Sequence, residues 1–175
     1  MELAQNINER KAYSPMEEDF IKSLDLIGYT ARIRRLSDNL NKMGKVVYKD
    51  LDLEIEPNWH LVLLILEREE ELTATEIAEH LSFSHTAIIK ITKKMVRSNF
   101  LNAQKSPTDG RKQLYSLSDK AIKQLPKLKQ IWNDIAEVHQ QYVSKTFLKE
   151  LTKIENSLTQ KSTIIRVKEL YDKRK

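Results

Sequence analysis

Between Thr73 and Leu117 the helical spacing of apolar residues is interrupted once and then shortens to two, and neither helices alone nor a sheet alone accommodates both. Thr73-Ala74-Thr75-Glu76 places a hydroxyl three residues before a carboxylate, the reciprocal pairing that satisfies free amides at a helix start. The short helix it opens carries Ile77, Ala78 and Leu81 and ends near Ser82-Phe83, because Ser84 is suited to cap the next one. In that second helix Ile88, Ile91 and Met95 form one apolar stripe, while Lys90, Lys93, Lys94 and Arg97 lie off it. Asn99 stands where a left-handed residue often closes a helix. Beyond it the period shortens to two: Leu101, Ala103 and Lys105 lead into a turn, and Gln113, Tyr115 and Leu117 lead out. Asp109-Gly110 offers the chemistry for a hairpin tip.

The flanks read as helix. Three glycines and four prolines in 175 residues leave little material for the connections that many strands require, so the class is mainly α. Ser14-Pro15-Met16-Glu17 has the form of a helix start. The apolar positions Phe20, Leu24, Ile27 and Ala31, then Ile33, Leu36, Leu40, Met43 and Val47, predict one long helix to about Lys45, with one phase slip. Pro57 opens a further helix carrying "WHLVLLILERE". Ser118 is expected to cap a long helix in which Ala121, Leu125, Leu128, Trp132, Ile135, His139 and Tyr142 repeat at steps of four and three, a packing seam with a bend at Pro126. A last helix, from about Lys145 to Asp172, carries Phe147, Leu151, Ile154, Leu158, Ile165 and Leu170 and needs a partner to pack against. The length fits one domain.

Several function classes find no residues. The chain has no cysteine, which removes disulfides, thiolate zinc sites and thiol redox sensing. Charges at Glu2, Glu9, Arg10, Lys11, Glu17, Glu18 and Asp19 are incompatible with a secretory signal, and the apolar run Leu61 to Leu66 is too short to span a membrane. His80 and His85 are five apart, the wrong spacing for one helical face, so no metal is expected. No glycine-rich phosphate loop or nucleophile motif is present; the expectation is a non-enzyme without a cofactor.

Charge is concentrated. From Ser82 to Tyr115 seven lysines and arginines face Asp109 alone, so the excess of six in this segment exceeds the +5 of the whole chain. That asymmetry points to a polyanion-binding face, whereas a merely solvated surface interleaves both signs. Helix, turn, basic helix and hairpin together make a helix-turn-helix with a wing. The second helix fits a DNA major groove, with Ser84, His85, Thr86, Ala87, Ile89 and Lys90 in reading position. Lys93, Lys94 and Arg97 are suited to phosphate, which positions without specifying sequence. A winged-helix module for protein–protein contact or scaffolding is the competing reading, since folds are reused; such a module exposes an apolar or acidic face instead.

The stretches "LTATEIAEHLSFSHTAIIKITKKMVRSNFL" and "SPTDGRKQLYSLSDKA", residues 72 to 121, resemble the MarR family of bacterial transcriptional regulators. Asp109, Arg111, Leu117 and Ser118 match that family's wing pattern residue by residue. The resemblance implies a cytoplasmic, ligand-responsive repressor that binds a pseudo-palindromic double-stranded DNA operator as a homodimer. It places dimerisation helices at 14–48 and 119–172, with Phe20, Leu24, Phe147, Leu151, Ile165 and Leu170 in the seam, around a DNA-binding lobe at 57–118. It further implies that Arg111 enters the minor groove, that Asp109 holds it, that Lys112 stands beside them, and that Tyr29, Arg32 and His60, with Trp59, are candidates for a small-molecule effector pocket. Asn99 replaces the family's usual glycine, and the cysteine of the peroxide-sensing branch is absent.

Overall fold

Thr73 and Glu76 cap one another. The Glu76 N–H donates to Thr73 Oγ1 at 3.3 Å, and the Thr73 N–H donates to the Glu76 carboxylate at 2.7 Å. This reciprocal cap starts α4 (Ala74–Leu81) in a computed structural model that describes residues 19–107 and 109–175. The helix start expected at Ser14-Pro15-Met16-Glu17 lies outside the described residues. The chain divides between Ser118 and Asp119 into two compact units.

In the first unit α1 (Phe20–Ser23), α2 (Tyr29–Asp50) and α3 (Trp59–Glu69) precede β1 (Glu71–Thr73) and α4. Then follow α5 (His85–Arg97), β2 (Leu101–Lys105) and β3 (Gln113–Leu117). The core of the lobe is Val62, Leu63 and Leu66 of α3, Ile77 of α4, Ile88, Thr92 and Met95 of α5, and Phe100, all essentially inaccessible to solvent. Removing that apolar surface from water is the main favourable term holding the lobe together. Trp59 meets Phe100 edge to face at 5.4 Å between ring centroids, a preferred aromatic geometry.

The two-stranded hairpin expected from the sequence is present as β2 and β3, and a third strand, β1, joins it in one sheet. β3 is central, pairing antiparallel with β2 on one side and β1 on the other. Leu72 and Ala103 both stand opposite Tyr115, and Leu72 and Tyr115 are buried. β1 is three residues long, too short to show a period, and its last residue is also the cap of α4. The hairpin loop runs between the residues expected to lead into and out of the turn. The Ser106 N–H donates to the Lys112 carbonyl at 3.0 Å and the Lys112 N–H to the Asp109 carbonyl at 2.9 Å, closing the loop around Asp109-Gly110. Gly110 has no positive φ, and a Cβ there would meet nothing within 4 Å.

The single N-terminal helix predicted to about Lys45 is instead two helices, the second running to Asp50. The chain turns between Leu24 and Gly28, with Asp25 at φ 49°. A Cβ on Gly28 would lie 2.2 Å from the Ile21 carbonyl oxygen, so the backbone's approach to itself requires glycine there. Asp19 caps α1 and accepts two hydrogen bonds from Arg35 of α2, at 3.1 and 2.8 Å; this guanidinium, more than any other neighbour, holds the carboxyl below its ordinary range. The apolar steps at Phe20, Leu24, Ile27 and Ala31 pass straight through the turn, which is why periodicity does not reveal it.

The second unit holds α6 (Asp119–Gln140), α7 (Lys145–Gln160) and α8 (Thr163–Asp172). α6 continues as one α-helix through Pro126. Along its expected seam Ala121, Leu125 and Leu128 are buried, Trp132 and Ile135 half-buried, and His139 and Tyr142 exposed. The one last helix predicted from Lys145 to Asp172 is broken at Lys161. Ser162 caps α8 by accepting the Ile165 N–H, and Arg166 fixes the break by donating to the carbonyls of Ser157 and Lys161. Neither α7 nor α8 buries a residue. Among the described residues no helix is long and apolar enough to cross a membrane.

Candidate nucleic-acid interface

The exposed face of α5 follows from how its buried face is anchored. Ser82 closes α4 in the left-handed region at φ 53°, the Phe83 N–H returns to the Ala78 carbonyl at 3.0 Å, and Ser84 Oγ then accepts the Ala87 N–H at 3.2 Å. With its start fixed, α5 turns Ile88, Thr92 and Met95 into the core. Sequence spacing put Ile91 in that stripe, but Ile91 is half-buried and Thr92 takes the inner place. The Thr92 hydroxyl donates to the Ile88 carbonyl at 3.0 Å, so burying it leaves no donor unpaired. At about 100° per residue the opposite side then presents Thr86, Lys90, Lys93 and Arg97, all exposed. Ser84 and His85 are also exposed, and Ala87 and Ile89 are half-buried, Ile89 on the side that faces the wing. Lys94 stands apart, its ammonium 2.9 Å from the Glu56 carboxylate.

At the wing, Asp109 Oδ1 accepts the Arg111 backbone N–H at 3.1 Å and the Arg111 Nε–H at 3.2 Å. The backbone N–H is the larger cause, and the side-chain bond the next, of an Asp109 carboxyl held below its usual range, with Lys112 contributing further. Arg111 keeps its side chain 92% exposed while its root is tied down. Glu76 is likewise held low, first by the Thr73 N–H and hydroxyl and then by the charges of Lys112 and His80.

Reading helix and wing share a cleft of about 520 Å³. His85 and Ile89 line it from α5, and Lys105, Gly110, Arg111, Lys112, Gln113 and Tyr115 from the hairpin; Thr73, Ala74 and Thr75 close it. Of the helix and wing residues singled out in the sequence, His85, Ile89, Arg111 and Lys112 therefore meet in one place, joined by Thr75, Lys105 and Gln113. Lys105 was legible only as one more charge in the basic segment, and Thr75 only as part of a cap.

The candidate effector residues are not gathered. A cavity of about 420 Å³ lies between the segment Leu53–Glu56 and the end of α5, and Trp59 stands in its wall with Lys94, Arg97 and Ser98. His60 turns its Nδ1 to the Pro57 carbonyl. Tyr29 and Arg32 sit in the first turn of α2 and do not line that cavity. Of the expected seam residues, Phe20 lies on α1 and Leu24 follows it. Phe147 and Leu151 lie on α7, Ile165 and Leu170 on α8, and all but Leu24 and the half-buried Leu151 are exposed.

Residues 53–112 match the sequence profile of the MarR family. No curated protein matches the chain. Among solved structures it is similar to the MepR–DNA complex of S. aureus, at 18% identity and a TM-score of 0.64 over 74% of this chain and 97% of that one. A mutant MarR from E. coli complexed with operator DNA is similar at 15% identity and a TM-score of 0.62, over 81% and 99%. The PcaV transcriptional regulator of Streptomyces coelicolor in complex with its natural ligand is similar at 17% identity and a TM-score of 0.61, over 78% and 94%. At these identities the structures establish a shared fold, and within the winged lobe it is residues 53–112 that match the MarR family.

Proposed function

We propose that this chain is a cytoplasmic transcriptional regulator that binds double-stranded DNA as a homodimer and represses until a small molecule releases it. The observation that carries the reading is the setting of α5 beside the wing: on the outer face Lys90, Lys93 and Arg97 pair with no acid among the described residues, and Arg111 lines the cleft that α5 shares with the hairpin. An interaction module would instead expose an apolar or acidic surface there. In this reading Thr86 and His85 exchange hydrogen bonds with base edges, while Ala87 and Ile89 supply apolar contact with thymine methyl groups. Lys93 and Arg97 meet phosphates, joined by Lys90, which the sequence put among the reading positions and which is exposed on the same outer stripe, and Arg111 enters the minor groove. Two of the similar structures are DNA complexes, which supports the assignment.

Dimerisation is assigned to the N-terminal helices and to α6, α7 and α8. Support comes from α7 and α8, which bury nothing in the single chain yet expose Phe147, Leu148, Leu158, Ile164, Ile165 and Leu170. Two lobes would then read half-sites roughly 34–36 Å apart. A released state requires a ligand that binds one separation of the lobes better than the other, since equal affinity shifts nothing. Footprinting on the DNA flanking the chain's own gene tests the whole reading. A palindromic protected site is expected, with log K falling against log salt at roughly −0.9 per phosphate contact. Binding that is indifferent to salt and protects no site would refute it.

A further inference from the structure

Among the described residues Lys94 is the one lysine of α5 that pairs with an acid. Its Nζ lies 2.9 Å from one oxygen of Glu56 and 3.2 Å from the other. Exposed ion pairs ordinarily gain little, because holding two long side chains in one geometry costs about as much as the attraction supplies. Here one partner is held in advance. Ile55, just before Glu56, is buried. Pro57, just after it, packs on α2, where a Cβ on Gly44 would lie 3.3 Å from the proline ring. The Glu56 carbonyl also accepts the Trp59 N–H at 2.9 Å. By contrast Lys90, Lys93 and Arg97 pair with no acid among the described residues.

We propose that Glu56 is a built-in competitor of DNA phosphate for Lys94, withdrawing that cation from the interface and marking the edge of the footprint on α5. The inference rests on the DNA-binding reading above. A lysine neutralised by its own chain gains nothing in net charge by exchanging a carboxylate for a phosphate. The exchange also strands Glu56 beside the DNA, where like charge disfavours approach. Lys94 lies only about 100° around the helix from Lys93. Without Glu56 it would therefore fall within reach of the same backbone. Glu56 thus acts through Lys94 as a positioning residue and touches no nucleic acid itself.

The salt dependence of binding separates these cases, because each phosphate neutralised by a free cation contributes about −0.9 to the slope of log K against log salt. The probe is a fluorescein-labelled duplex of arbitrary sequence, about 30 base pairs and so roughly three helical turns, titrated between about 50 and 200 mM salt. Expected is that Lys90→Gln makes the slope shallower by about 0.9, while Lys94→Gln leaves it unchanged. Glu56→Gln should steepen it by about 0.9, and adding Lys94→Gln to Glu56→Gln should return it to the parental value. A purely structural role for the pair would shift the melting temperature of both single variants and leave the slopes alone, which overturns the proposal. A Lys94→Gln slope as shallow as that of Lys90→Gln, with Glu56→Gln unchanged, overturns the role of Glu56 while leaving DNA binding intact. A flat slope in the parent protein overturns both.

Discussion

Asp109 grips the root of Arg111 at two points, the backbone N–H and the side-chain Nε–H, and leaves the end of the guanidinium free. A long cationic side chain ordinarily loses rotamer freedom when it binds; here part of that loss is taken in the unbound protein. Arg111→Ala should therefore weaken operator binding by about 1–3 kcal/mol without disturbing the oligomer. Asp109→Asn should cost less, because the amide oxygen still accepts from the backbone N–H. Fluorescence anisotropy with an operator duplex checks both, and parental affinity in the alanine variant would remove Arg111 from the interface. The acid side has a sign. The folded carboxyl is held low, so the grip is complete at neutral pH and is lost as pH falls through the depressed value.

The cap of α4 offers a stability test. Thr73→Ala removes the acceptor for the Glu76 N–H and should cost about 1 kcal/mol in urea unfolding. Because the Glu76 carboxyl is lowered in the folded chain, its contribution is fully present above the ordinary glutamate value of about 4.3 and fades below it. Glu76→Gln should flatten that part of the stability–pH curve while leaving the rest. If the curves of parent and variant stay parallel from neutral pH to acid, the cap does not act through its charge.

Trp59 is buried, and its indole N–H has no hydrogen-bond partner among the described residues. A buried donor left unpaired costs about 1–3 kcal/mol, which opposes the packing that the large ring contributes. Trp59→Phe, which keeps a ring beside Phe100 and deletes the donor, should therefore change stability by less than about 1 kcal/mol. Trp59→Ala empties the same space and should cost about 3–5 kcal/mol. Thermal or urea unfolding of the two variants decides the matter; equal losses would mean that the N–H is satisfied in solution.

The winged lobe was legible because its signals are local and chemical. Thr73 with Glu76, Ser84 at a helix start and Asn99 at a helix end each declare a boundary through their own side chain or backbone preference, and the structure has all three. What stayed hidden depends on contacts remote in sequence. β1 is a strand only because β3 arrives beside it more than forty residues later. The turn at Leu24–Gly28 lies under an unbroken apolar pattern and is decided by Gly28 meeting Ile21 and by Arg35 reaching Asp19. At the site, residue type showed which side chains are basic but not which are already paired, so Lys94 read the same as Lys93 until Glu56 appeared opposite it.

The apolar residues of α8 define the last test. Ile165 and Leu170 are 50% and 56% exposed in the single chain, and apolar surface of that kind costs free energy in water unless another surface covers it. In the proposed dimer the partner's helices cover it. Replacing both residues by arginine places two charges where the partner would sit, and an unpaired charge cannot be buried without a large desolvation cost. Sedimentation equilibrium should then report a monomer for the double variant and a dimer for the parent. The far-ultraviolet circular dichroism should remain close to the parent's, because neither residue is part of the buried core. A stable dimer carrying both arginines would move the interface away from α8.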